Sequence, residues 1–128
     1  MVPVYASVVK VVPAHGSLFF RCSYFVAPAG DEVFAVLGAD RVLYTPIDSS
    51  VGKEYAVRVV RKSAWSVSTV RVGKHGGLAR YTIPRQFAEQ LGVSRGDPLL
   101  VLGLDEGLHA IPLRYVAEKV GKFREPVL

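Results

Sequence analysis

Cys22 is the one cysteine of the chain, and the three histidines, His15, His75 and His109, are scattered, so the residues that carry metal or nucleophile chemistry are sparse. A single thiol forms no intrachain disulfide and builds neither a two-cysteine nor a four-cysteine zinc site. There is no Gly-x-Ser-x-Gly elbow, no Gly-Lys-Ser/Thr phosphate loop and no pair of histidines at ligand spacing. The sequence therefore names no catalytic residue, no metal ligand and no cofactor site, and an enzyme is not expected. Positive charge is what the chain has in excess: 16 Lys and Arg against 11 Asp and Glu, a net +5 over 128 residues shared by both halves. Such a surface suits an anionic partner. Lys53, Arg58, Arg61 and Lys62 make one local cluster of it.

Half of the residues are hydrophobic, yet Arg, Lys, Gly, Asp or Pro interrupts the apolar runs before the roughly 18 residues of a membrane span. No membrane partner is expected. The opening Met1-Val2-Pro3-Val4-Tyr5 lacks the pattern of a secretory leader, which points to the cytoplasm.

The elements that position these side chains come in two copies. His15-Gly16-Ser17-Leu18 recurs as His75-Gly76-Gly77-Leu78, 60 positions on, and Ala29-Gly30-Asp31 through Leu37 aligns with Arg95-Gly96-Asp97 through Gly103, 66 positions on. The second register continues to set Pro46 on Pro112 and Ile47 on Leu113. Upstream, Val9-Lys10-Val11 matches Val70-Arg71-Val72 with one residue of slack near Pro13, so the first copy is shorter by six in its middle. In the second copy that middle, Pro84 to Leu91, reads as a short helix with Phe87, Ala88 and Leu91 on one face and Gly92 to end it. The first copy has only a connection there, Ser23 to Ala29.

Alternation and β-branched content predict strands at Val4–Val12, Leu18–Ser23, Val33–Leu37 and Arg41–Thr45, and again at Ser66–Val72, Leu78–Ile83, Leu99–Leu104 and Leu108–Ile111. Ile47 to Gly52 reads as a polar bend, and the Val-rich stretch Glu54 to Arg61 as an added strand. After Pro112 the three-four spacing of Leu113, Val116, Val120 and Phe123, with Arg114, Glu118 and Lys122 outward, predicts a terminal helix to about Lys122. Phe19, Phe20, Phe25 and Trp65 read as core, and Cys22 as a small buried hydrophobe. The Gly-Asp pairs read as turn chemistry. The resulting division is residues 1–50 as a degenerate first repeat, 51–65 as a connecting strand, 66–113 as the second repeat, and 114–128 as a C-terminal helix and tail.

The second copy carries a family resemblance. Thr69-Val70-Arg71-Val72-Gly73-Lys74, then Leu78 through Thr82-Ile83-Pro84, then Leu91-Gly92-Val93 and Gly96-Asp97, resembles the AbrB/SpoVT-like, or MazE-like, family over about Ser66 to Leu113, and more weakly over Val8 to Ile47. The resemblance implies a mainly β, swapped-hairpin or cradle-loop barrel, here built from two tandem pseudo-repeats within one chain. One four-strand unit cannot cover its own apolar faces or its edges. The competing layout is a homodimer of second copies with the first copies packed outside.

The resemblance further implies a transcription regulator that binds double-stranded DNA through basic residues of the first strand and glycine turn. Carried onto this sequence, these are Arg71, Lys74 and Arg80, with Arg85 and His75 as neighbours and Lys10 as the first-copy match of Arg71. Arg and Lys on a strand pair neutralise phosphates and reach base edges. Two departures stand out: Ala88 and Glu89 occupy the short helix where some members carry arginines, and the turn reads one residue longer than usual. Arg21 falls one position from the match of Arg80, which points it to the opposite strand face. The alternative is an antitoxin-like or other protein-interaction module that grips a toxin or another protein with its C-terminal segment. A homodimer or higher oligomer stays open beside either reading.

Overall fold

The computed structural model describes residues 4–60 and 66–124. These form ten strands and three helices: β1 (Tyr5–Lys10), β2 (Val12–Ala14), β3 (Ser17–Cys22), β4 (Glu32–Leu37), β5 (Val42–Pro46), α1 (Ser50–Val60), β6 (Val67–Arg71), β7 (Gly73–His75), β8 (Leu78–Ile83), α2 (Arg85–Leu91), β9 (Pro98–Leu104), β10 (Gly107–Pro112) and α3 (Leu113–Arg124). The chain is mainly β. Its strands make two antiparallel sheets, one of six in the order β1-β9-β10-β5-β4-β6 and one of four in the order β2-β3-β8-β7. Among the described residues no ladder joins the two sheets, and their strands do not close into one hydrogen-bonded barrel.

Both orders read the same when the halves are exchanged, and the registers agree residue by residue. Lys10 pairs with Pro98 where Arg71 pairs with Glu32, and Val9 pairs with Leu99 where Val70 pairs with Val33. The first strand of each half is thus hydrogen-bonded to the second hairpin of the other. The pseudo-twofold axis passes between Phe20 and Tyr81 in the smaller sheet and between Leu43 and His109 in the larger.

Matching registers correct the sequence alignment of the first hairpins. Ala14 pairs with Ser17 as His75 pairs with Leu78, and Val12 with Phe19 as Gly73 with Arg80. The offset is therefore 61 throughout these hairpins, rising to 66 after the connection, and the first copy is shorter by five residues. Both turns have two residues, both at positive φ: His15 (49°) and Gly16 (82°), Gly76 (57°) and Gly77 (86°). That is the tight hairpin geometry whose twist suits the flanking strands. His15 therefore corresponds to Gly76, and His75 to Ala14. The motif match paired them wrongly because it followed residue type instead of backbone.

Val11 and Val72 mark where the first strand of each half bends from one sheet into the other. Each is held by the opposite Gly-Asp turn: Val11 N–H donates to Asp97 O and Gly96 N–H to Val11 O, at 2.9 and 2.8 Å, and Val72 with Asp31 and Gly30 repeats both bonds at 2.9 and 2.8 Å. The core lies between the sheets around Phe20, Tyr44 and Tyr81, which are fully buried and in mutual ring contact. Tyr44 Oη donates to Thr82 O at 2.9 Å. Tyr81 Oη donates to Tyr24 O at 2.7 Å and accepts from Val26 N–H at 3.0 Å, so it pins the irregular connection that stands where the second half has α2. In that second half α2 begins one residue later than expected, after Pro84, and buries Phe87, Ala88 and Leu91. Gly92, left-handed at φ 67°, ends it.

The connecting strand over 51–65 is not observed: Ser50–Val60 is helix α1, and Arg61 to Trp65, including the expected core position of Trp65, lie outside the described residues. Ser49 caps this helix, its Oγ accepting from Gly52 N–H at 2.9 Å while its carbonyl accepts from Lys53 N–H at 2.9 Å. Gly52 is also needed for space, because a Cβ there would run into Pro46 O and the Ile47 carbonyl group. Valine content, a weak strand preference, yields here to capping and tertiary context. By the pseudo-symmetry α1 answers α3, since both follow the matched prolines Pro46 and Pro112, and they pack on β5 and on β10 with β9 respectively. The α3 helix starts where expected. The side chains of Val120, Lys122 and Phe123, and the tail after Arg124, lie outside the described residues.

Candidate nucleic-acid interface

The outer face of the four-stranded sheet is set by strand alternation. On β8, Ala79, Tyr81 and Ile83 are buried, so Leu78, Arg80 and Thr82 face out; on β3, Phe20 and Cys22 point in, so Phe19 and Arg21 face out. Arg21 pairs with Arg80 directly across the antiparallel ladder, which puts both guanidinium groups on one face. Sequence reasoning missed this because it aligned the hairpins at an offset of 60; at 61 the match of Arg80 is Phe19, two positions from Arg21 and so on the same strand face. On the other side of Arg80 stands Gly73, also directly opposite. The Arg80 guanidinium lies over the Phe19 ring, 4.2 Å from its centroid.

Of the six residues expected to form the site, Lys74, His75 and Arg80 come together on the β7–β8 hairpin, with Lys74 and His75 exposed at its tip. His75 shares the outer face with Arg80, whereas Lys74, opposite Ala79, leans from the edge strand to the other side. No carboxylate forms an ion pair with Arg21, Lys74 or Arg80 among the described residues. The other three are placed elsewhere. Arg71 ends β6 in the larger sheet, where Nη2 lies 3.5 Å from Glu32 and Nη1 donates to Gly30 O at 2.7 Å, in a cleft also lined by Asp31 and Asp48. Lys10 is its equivalent at the far edge, exposed and opposite Pro98. Arg85 opens α2 and pairs with Glu89 at 3.2 Å, both well exposed, an i,i+4 contact of small energetic weight. It borders a groove of about 710 Å³ between the β2–β3 turn and α2. In the central cluster Lys53 is exposed, while the side chain of Arg58, and Arg61 and Lys62 entirely, lie outside the described residues.

The shifted acid–base groups sit away from this face. Burial pushes the Tyr44 and Tyr81 phenols and the Cys22 thiol up, so all three stay protonated at neutral pH and act as donors to backbone carbonyls. Burial holds His109 below its ordinary value despite the nearby Glu106 carboxylate. Its Nδ1 accepts from Arg41 Nη1 at 3.2 Å, which leaves Nε2–H to donate to Glu106 at 2.8 Å. Among the described residues no three His, Cys, Asp or Glu side chains converge as metal ligands, and no helix is long and apolar enough to cross a membrane.

What this face offers is a pair of adjacent guanidinium groups on a strand ladder with a histidine at the hairpin tip, and a lysine beside it at the sheet edge. Such an array donates hydrogen bonds and positive charge to an anionic polymer. No protein-family model, curated protein or solved structure matches the chain.

Proposed function

We propose that the chain binds double-stranded DNA as a transcription regulator, through the outer face of β3 and β8 and the β7–β8 hairpin. The observation that carries the reading is the Arg21–Arg80 pair, which is unneutralised among the described residues. Cross-strand like charges are unfavourable in a fold that has no use for them, and a β-ribbon edged with basic side chains suits the major groove and its phosphates. The exchange of first strands between the halves supports reading the fold as an AbrB/SpoVT-type swapped hairpin whose two copies lie in one chain. On this reading the protein is a binding protein, not an enzyme, and works in the cytoplasm.

The first turn of α3 is engaged within the fold, which weighs against the C-terminal segment as the principal grip on a toxin or other protein. Arg114 donates to Gly92 O at 3.0 Å and to Leu91 O, and Tyr115 Oη donates to Leu91 O at 3.3 Å.

Fluorescence anisotropy of a labelled duplex tests the proposal, with an Arg21→Ala, Arg80→Ala double variant alongside. For about three phosphate contacts, affinity should fall about 40-fold between roughly 50 and 200 mM salt. The double variant should remain folded and lose most of the binding. No binding at low salt, or undiminished binding by the variant, would overturn the reading.

A further inference from the structure

Arg80, half-buried on β8, is laid in a track. Arg114 also lies over a ring, that of Tyr115, but its N–H groups are taken by the Leu91 and Gly92 carbonyls, whereas those of Arg80 meet no acceptor among the described residues. On one side Gly73 stands directly opposite it and offers no side chain; a Cβ there would come within 3.3 Å of Arg80 Cβ and 3.6 Å of its Cδ. On the other side the guanidinium lies over the ring of Phe19, 4.2 Å from its centroid, and Phe19 is itself buried, 8% exposed. Stacking on an aromatic face restrains the plane while leaving the N–H edge free. Arg21, in the same cross-strand pair, has neither a ring under it nor a carboxylate against it among the described residues.

We infer that the two arginines divide the work: Arg80 reads a guanine base in the major groove, Phe19 and Gly73 are its positioning residues, and Arg21 contacts phosphate. The inference rests on the DNA-binding reading above and assigns the specificity of that site. The chemistry follows from geometry. Guanine presents two acceptors, O6 and N7, side by side in the major groove, and a guanidinium held in one plane meets both at once. A pre-oriented donor gives up less side-chain freedom on binding. A phosphate oxygen accepts from many directions and needs no such track. In the other half the equivalent of Arg80 is Phe19 itself and that of Gly73 is Val12, so the reading position exists once per chain.

The test starts from a pool of random 20-base-pair DNA duplexes, selected for binding at moderate salt, followed by affinities on the selected sequence and on versions with each guanine replaced by adenine or 7-deazaguanine. The expected result is one position where either replacement costs roughly 10-fold in the parent protein. Arg80→Lys, which keeps the charge and loses the plane, should abolish that preference and leave the salt dependence unchanged. Phe19→Leu should weaken the preference, and Phe19→Tyr, which keeps a ring, should restore it. Arg21→Ala should weaken all duplexes equally and lower the salt slope by about one phosphate contact. Binding without any guanine preference, or a preference that survives Arg80→Lys, overturns the inference while leaving DNA binding intact. Absence of binding to any duplex, or a preference for RNA of the same sequence, overturns the DNA reading and this inference with it.

Discussion

Arg21 and Arg80 face each other across neighbouring strands, an arrangement that costs stability through repulsion, yet neither is matched by a carboxylate among the described residues. Adjacent like charges on a sheet are unfavourable by about 0.2–1 kcal/mol. The pseudo-symmetry supplies the natural replacement, because the position equivalent to Arg21 in the other half is Thr82, also outward on its strand. Arg21→Thr should therefore stabilise the fold by roughly 0.5 kcal/mol at low salt, an advantage that fades as salt screens the repulsion, while DNA affinity falls. Thermal melts at two salt concentrations, set beside duplex titrations, check both halves of this trade. A variant that is both less stable and undiminished in binding would show that the pair is a structural feature. The same residue marks the limit of legibility at this scale. Lys74, His75 and Arg80 were grouped from the sequence and share the β7–β8 hairpin, but Arg21 was turned to the wrong face because the hairpins were aligned one residue out of register. Arg71 was legible as a basic strand residue and not as the partner of Glu32, since that contact spans 39 residues of chain.

Among the elements, the Gly73–His75 part of the expected glycine turn proves to be strand β7, with only Gly76 and Gly77 turning, while most other strands were read well because alternation is a local signal. Helix α1 was not, because Val-rich sequence suggests strand and the cap is a matter of three residues. The signal that could have found it was the repeat: Pro46 matches Pro112, and a helix follows Pro112. Gly52 is the residue on which this element turns. Alanine favours a helix interior over glycine by about 1 kcal/mol, but at this position its Cβ would meet the backbone of Pro46 and Ile47, which cannot swing aside as a flexible side chain would. The clash should win. Gly52→Ala is expected to lower stability by about 1–3 kcal/mol, whereas Gly38→Ala, whose Cβ would come no closer than 3.4 Å to any atom, should change it by less than about 0.5 kcal/mol. Urea denaturation of both variants decides. A Gly52→Ala protein as stable as its parent would mean that α1 enters the fold by another path than the Ser49 cap and the close turn after Pro46.

For the whole molecule, the exchange of first strands has a thermodynamic consequence. β1 belongs to the first half and hydrogen-bonds β9 of the second; β6 belongs to the second and hydrogen-bonds β4 of the first. Neither half completes its part of the six-stranded sheet alone, and one buried cluster draws on both. Opening one half strips a strand from the other, so the two should unfold as a single cooperative unit. Val33 and Leu99 are equivalent positions, 0% and 1% exposed in that shared cluster. Val33→Ala should cost roughly 2 kcal/mol and Leu99→Ala about 2–5 kcal/mol. Because the halves are interlocked, each should move the entire transition, monitored by far-ultraviolet circular dichroism for the strands and by tyrosine absorbance for Phe20's neighbours Tyr44 and Tyr81 in the core. The two signals should coincide in the parent and in both variants. A second transition, or a substitution that shifts one signal and leaves the other in place, would show that the halves fold independently in spite of their exchanged strands. The pairing of β1 with β9 joins residues more than 85 positions apart, so refolding should also be slow for a chain of this size, as the entropy of closing that loop is lost before the contacts that offset it form.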